Sequence, residues 1–218
     1  ASRQMNDAEL RTYDIVLFGA TGFTGGLTAE YLAQHAPKEL RWAIAGRSAS
    51  KLEAIKQRLV ALDAHAASVG VIEAQLDDDA SLQRMAAQTR VLLSTVGPFV
   101  DYGEPVVRAC IAAGTDYVDS TGELQFLELL WARYAIPASE RGVRLVPSCG
   151  FDAIPADLGA FFTVRQLPQD QPIQLAGYMS VQAQFSGGTE RSALKTWIPR
   201  EPLPVPEPQP RPGRRVEL

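Results

Sequence analysis

The stretch Tyr13-Asp14-Ile15-Val16-Leu17-Phe18-Gly19-Ala20-Thr21-Gly22-Phe23-Thr24-Gly25-Gly26 runs from a buried-strand pattern straight into glycines spaced three apart. In that spacing Gly19 makes the tight turn out of the strand and Gly22 lets the backbone approach a pyrophosphate. Gly25 lets the next helix pack close on the sheet. Free amides and the positive end of the helix dipole then face the phosphates, so Gly19, Ala20, Thr21, Gly22, Phe23, Thr24 and Gly25 are expected to cradle a dinucleotide. Glycines also end strands and cap helices. The pattern gains its meaning from the strand before it and the amphipathic helix after it.

The second strand reports on which dinucleotide. A fold that selects NAD places an acid at the end of this strand to bind the ribose 2'-hydroxyl. Here it ends Ala43-Ile44-Ala45-Gly46-Arg47-Ser48, with no Asp or Glu from Arg41 to Leu52. Arg47 offers a guanidinium fork, Ser48 a hydroxyl and Lys51 an ammonium one helical turn on, a set suited to a 2'-phosphate. NADP is the expected cofactor; the plainer alternative for Arg47 is a solvated loop charge. Ligands of such folds sit beyond the carboxyl ends of the strands, which puts Asp77 near the adenine. The same rule puts Gly97 and Pro98 on the nicotinamide side, with Thr95 also expected at the cofactor, although Gly97-Pro98 would also serve as a simple turn.

Several chemistries are excluded. A short-chain dehydrogenase pairs Tyr with Lys four residues on, and none of the six tyrosines has that partner. The two histidines, His35 and His65, are expected on the surface, which leaves no histidine-based metal site or triad; no metal is expected. A phosphate-binding Gly-Lys-Ser/Thr loop is absent. Cys149, in Ser-Cys-Gly-Phe-Asp, lacks a neighbouring base and is expected to be a buried, unreactive thiol. Asp119, Asp152 and Asp157 are acid-base candidates, though each would equally cap a helix, and no catalytic residue is assigned.

These residues need a frame. From Tyr13 to Val146 short apolar runs alternate with helical patterns, which predicts an α/β, Rossmann-type doubly wound parallel sheet. The strands expected are 13–18, 41–45, 69–75, 91–96, 115–118 and 143–146. Ser50-Lys51-Leu52-Glu53 reads as a capping box, with Leu52, Ile55, Leu59 and Leu62 behind it. The helix carrying Val106, Val107, Cys110 and Ile111 should stop at Gly114, and a longer one from about Glu123 to Arg141 should kink or break at Pro137. A short helix is expected at 156–162. An alternating strand at 173–184 would be the first edge of a partial second α+β domain.

The 218 residues exceed one domain of roughly 150. The division expected is a polar leader at 1–12, a cofactor domain at 13–158, a partial second domain at 159–198 and a tail at 199–218, where seven of the 15 prolines fall. That tail is read as polyproline II or a linker, or else as a ligand for a proline-binding partner. Apolar residues at 46% and charged residues at 21% are globular values, and a net charge of -4 argues against nucleic acid as a partner. Two cysteines, a polar N-terminus and no apolar run near 18 residues fit a reducing cytoplasm, with peripheral membrane attachment left open.

The glycine turn, Ala45-Gly46-Arg47-Ser48 and Ser94-Thr95-Val96-Gly97-Pro98-Phe99 together resemble the saccharopine dehydrogenase-like oxidoreductases, in particular the trans-acting enoyl reductases. Tyr117-Val118-Asp119-Ser120-Thr121-Gly122-Glu123, the run from Pro147 to Gly159 and Phe185-Ser186-Gly187-Gly188-Thr189 extend the resemblance over residues 13 to 195. It implies an NADP-binding Rossmann domain with a second α+β domain inserted before the chain returns to the first. In the enoyl reductase branch it implies hydride transfer to a carbon-carbon double bond of an acyl lipid intermediate made by a separate synthase. In true saccharopine enzymes the bond is carbon-nitrogen. Family members are considerably longer, so a non-catalytic NADP-binding module or redox sensor is the competing expectation. A homo-oligomer through the second domain is a further one.

Overall fold

The computed structural model describes residues 11–168, 170–180, 182 and 187–196. The leader through residue 10, the end of the strand expected at 173–184 and the proline-rich tail lie outside the described residues.

Six strands form one parallel sheet in the order β3-β2-β1-β4-β5-β6: β1 Tyr13–Phe18, β2 Trp42–Gly46, β3 Gly70–Glu73, β4 Thr89–Ser94, β5 Asp116–Asp119 and β6 Leu145–Val146. The order reverses between β1 and β4, which pair in register from Ile15 with Val91 to Phe18 with Ser94. Such a reversal splays the connections to opposite faces and leaves a crevice at the carboxyl ends of the two strands.

Each face of the sheet buries its own core. Leu17 and Ile44 turn to the face covered by α1 (Phe23–His35) and α2 (Ala49–Leu62), where Leu52 and Leu59 meet them. Val16, Phe18, Leu92 and Tyr117 turn to the other face, against α3 (Asp79–Ala87) and α4 (Phe99–Ala113). Near-continuous apolar strands are what burial on two faces demands. Helix α4 ends at Gly114, whose φ of 69° is the left-handed cap that its lack of a Cβ permits.

Beyond α4 the chain is helical from Leu124 to Glu140 in three pieces: α5 (Leu124–Leu129), a π-helical turn at Leu130–Tyr134 and α6 (Ala135–Glu140). Pro137 lies just past the π turn, at the third position of α6, where its missing N–H costs least. Helix α7 (Ile154–Arg165) is longer at both ends than the 156–162 expected, and its earlier start suits Pro155 in its first turn. Helix α8 spans Gly187–Thr196.

Other expectations need correction. Ser48, not Ser50, caps α2; its Oγ accepts the Lys51 amide at 3.5 Å. The two serines compete for one helix start, and the earlier one is taken because β2 ends at Gly46. The strand expected at 173–184 does not form at 173–180 or 182. The apolar side chains at 173–180, including Tyr178 at 96% exposure, face solvent, because no strand among the described residues offers them a ladder. The argument for oligomerisation through its edge falls with it.

Candidate functional site

The glycine turn sits at the reversal point, between β1 and α1. Gly19 has φ 97°, which a side chain would strain, and its amide donates to Ala45 O of β2 at 2.9 Å. Gly25 lies directly under the turn: a Cβ there would overlap the Gly19 carbonyl and reach 2.8 Å from Thr95 Oγ1. Thr95 in turn donates through its amide and hydroxyl to Phe18 O, at 2.9 and 3.1 Å. The ends of β1, β4 and α1 are therefore interlocked.

The turn displays what a phosphate needs. Thr21, Gly22, Phe23 and Thr24 are exposed, whereas Ala20 is buried. Gly22 caps α1 without a side-chain hydrogen bond, and no acid lies in the first turn of that helix. Its leading amides and dipole thus stay available to an anion. A groove of about 510 Å³ opens beside the turn between α1 and α2, lined by Thr21, Gly22, Phe23, Lys51 and Arg58 among others.

At the end of β2, Arg47 is exposed and makes no ion pair among the described residues; the Lys51 ammonium is likewise free among them. Arg58, which shares the groove, is already bonded to Glu30 at 3.0 Å. Ser48 divides its hydroxyl between the α2 cap and Ser50 Oγ, 3.2 Å away. Asp77 stands exposed in the turn after β3, and Gly97 and Pro98 join β4 to α4 through a cis peptide bond. All the expected site residues thus lie on one edge of the sheet.

Residues 15–143 match the family described as the saccharopine dehydrogenase NADP binding domain. The chain belongs to this family. A mouse saccharopine dehydrogenase-like oxidoreductase is 43% identical over 167 residues, covering 73% of this chain and 39% of its own length. A trans-acting enoyl reductase of Mycobacterium tuberculosis is 43% identical over 182 residues, covering 84% and 42%. The chain therefore spans about two fifths of these relatives. Among solved structures, the saccharopine dehydrogenase (L-Glu forming) of Saccharomyces cerevisiae shares the fold, with a TM-score of 0.56 at 20% identity over 71% of this chain and 31% of that one. In a member of this family the cofactor is NADP. The side-chain-free cradle of Gly19, Gly22 and Gly25 and the unpaired cations at the end of β2 fit that group.

The saccharopine dehydrogenase fold also brings in residues whose role the sequence pattern did not reveal. Glu123 is 1% exposed. Its carboxylate accepts the Phe99 and Val100 amides, at 2.9 and 2.8 Å, and the Ser192 hydroxyl of α8 at 2.8 Å. It caps α4 across the chain and ties α8 to the same corner. A lone glutamate after Ser-Thr-Gly carries no signal for such a long-range cap.

Asp119, one of the acid-base candidates, is also 1% exposed. Its Oδ1 accepts the Thr121 and Ser148 amides at 2.8 and 3.0 Å. Burial pushes its carboxyl up, those amides pull it down, and the charge of Glu123 adds to the rise. Asp152 and Asp157 are exposed. Cys149 is exposed rather than buried, since the loop after β6 turns it outward. Its thiol is nevertheless held above the ordinary range by local desolvation and by Asp119, which keeps it a poor nucleophile.

Proposed function

We propose that this chain is the cofactor-holding part of an NADP-dependent reductase that saturates a carbon-carbon double bond of an enoyl intermediate carried by a separate synthase. When bound, the reduced dinucleotide supplies a hydride. In this reading Gly19 to Gly25 receive the pyrophosphate on uncapped amides, and Arg47, Ser48 and Lys51 hold the 2'-phosphate. Asp77 borders the adenine, while Thr95, Gly97 and Pro98 form the nicotinamide side. The chain's own residues bind and orient; none is assigned as proton donor.

The observation that carries the cofactor assignment is the pair of free cations where an NAD-selective fold would place an acid. Enoyl substrate and synthase partner are supported by the mycobacterial relatives, whose names describe a trans-acting enoyl reductase. The test mixes the chain with NADPH and an enoyl thioester and follows absorbance of the reduced cofactor. Oxidation of one NADPH per double bond saturated is the expected result. Tight binding with no oxidation would leave an NADP-binding module in place of a reductase.

A further inference from the structure

Two buried polar atoms have no hydrogen-bond partner among the described residues: the Tyr117 hydroxyl and Asp119 Oδ2. They are neighbours. Tyr117 and Asp119 are two apart on β5 and share the face of the sheet that α4 covers, and Asp119 pairs in register with Ser94 of β4. The phenol is close enough to Asp119 and to Ser94 to interact with both, yet it closes a bond with neither. Residues 94, 117 and 119 are all 0% or 1% exposed.

Leaving both atoms unpaired would cost about 1–3 kcal/mol each, a large share of a domain's stability. A buried water satisfies such groups when two to four polar atoms converge on it. Here a phenol donor, a carboxyl oxygen and a serine hydroxyl converge. Burial pushes both Tyr117 and Asp119 up; the Asp119 charge raises Tyr117 further, whereas the neighbouring phenol lowers Asp119. Glu123 and Cys149 are the other ionisable groups whose charge couples to Asp119.

The same three residues hold loops. Ser94 Oγ accepts the Val96 amide at 3.4 Å, at the start of the segment leading to Gly97 and Pro98. Through Oδ1 and its carbonyl, Asp119 holds the amides of Ser148 and Cys149, at 3.0 and 2.6 Å, and Ser148 is the only non-glycine residue with positive φ among the described residues. We propose that Ser94, Tyr117 and Asp119 bind one buried water, and that this water locks together the two loops flanking the nicotinamide end of the crevice. The second half rests on the cofactor reading above; the first does not.

Two measurements on the whole chain test it. In a crystal structure at about 1.5 Å, the water must appear within hydrogen-bond distance of all three side chains. A direct Tyr117–Asp119 bond, or no density, would overturn the site. Tyr117→Phe gives an independent sign. If the corner is dry, removing an unsatisfied hydroxyl leaves the melting temperature unchanged or raises it; if it holds water as proposed, the temperature falls, and Ser94→Ala lowers it too.

The positioning role is read by titration. Tyr117→Phe should weaken NADPH binding roughly threefold to tenfold, the worth of one hydrogen bond. It should leave binding of adenosine 2',5'-bisphosphate, which reaches only the other end, unchanged. Equal loss for both ligands, or no loss for either, sinks the positioning role. Absence of NADPH binding by the wild-type chain would instead remove the cofactor reading and leave the water to be judged on density and melting temperature.

Discussion

The two edges of the sheet are both rich in arginine and differ in how that arginine is used. At the amino edge a cavity of about 860 Å³, larger than the groove beside the glycine turn, is bordered by Arg11, Arg90, Arg141 and Arg144. Arg11 donates to the carbonyls of Ala86, Ala87 and Ala113 at the ends of α3 and α4, and Arg141 to those of Ile111 and Ala112. Arg144 pairs with Asp116 and Arg41 with Asp14, while Arg90 lies 3.7 Å from Asp14. Every guanidinium there has a partner. At the carboxyl edge Arg47 and Lys51 have none among the described residues, and the first turn of α1 has no capping side chain. Cavity size and unsatisfied charge thus mark opposite edges.

The comparison can be broken by substitution. The largest effect belongs to Gly25→Ala, which drives a methyl into the Gly19 carbonyl. NADPH binding should fall by more than about a hundredfold, with about 1–3 kcal/mol of stability lost to overpacking, both measurable by titration and chemical denaturation. Arg47→Ala comes next, with NADPH affinity lower by about tenfold to a hundredfold and NADH affinity unchanged. Equal affinities of the wild type for the two cofactors would undo the argument from β2. Arg11→Ala should do the reverse, lowering stability by about 1–3 kcal/mol through its lost carbonyl contacts while NADPH affinity holds. Were Arg11→Ala to abolish binding with the fold intact, the amino edge would be a site after all.

The smallest effect is in pH, and it runs in opposite directions at the two edges. A hydrogen bond from Arg41 lowers the Asp14 carboxyl, so its stabilisation is present above the ordinary carboxylate range and lost as pH falls through the depressed value. Asp119 is raised, so its contribution is full below the ordinary range and lost as pH climbs through the elevated value. Asp14→Asn should therefore remove part of the acid-side loss of stability, and Asp119→Asn part of the loss on raising pH above about 4. Melting curves across pH for the two variants should separate; parallel curves would mean that the edges do not differ in this respect.

What was legible in the sequence was local. The glycine turn and the stop at Gly114 rest on backbone demands that adjacent residues announce. The sheet followed from apolar runs of strand length separated by helical periods. Apart from the α2 cap and the bounds of α7, the misread elements depended on distant partners. Alternation at 173–184 described a face but not whether any strand would pair with it. Glu123 and Asp119 act on amides that are 23 to 29 residues away in sequence, and no spacing rule reaches that far. Cys149 is expected to be buried from its local sequence, whereas the direction of its loop is fixed by Asp119.

Helix α7 has no buried residue, although Leu158, Phe161 and Phe162 lie on it. In hydrogen-exchange terms this divides the chain into zones of different lifetime. The amides of β1 and β4, sealed on both faces, should exchange only when the whole sheet opens, and those of α7 should exchange through local fraying, orders of magnitude sooner. Protection would then end close to β6, so a protease that clips α7 should leave behind a cofactor domain with its melting transition intact.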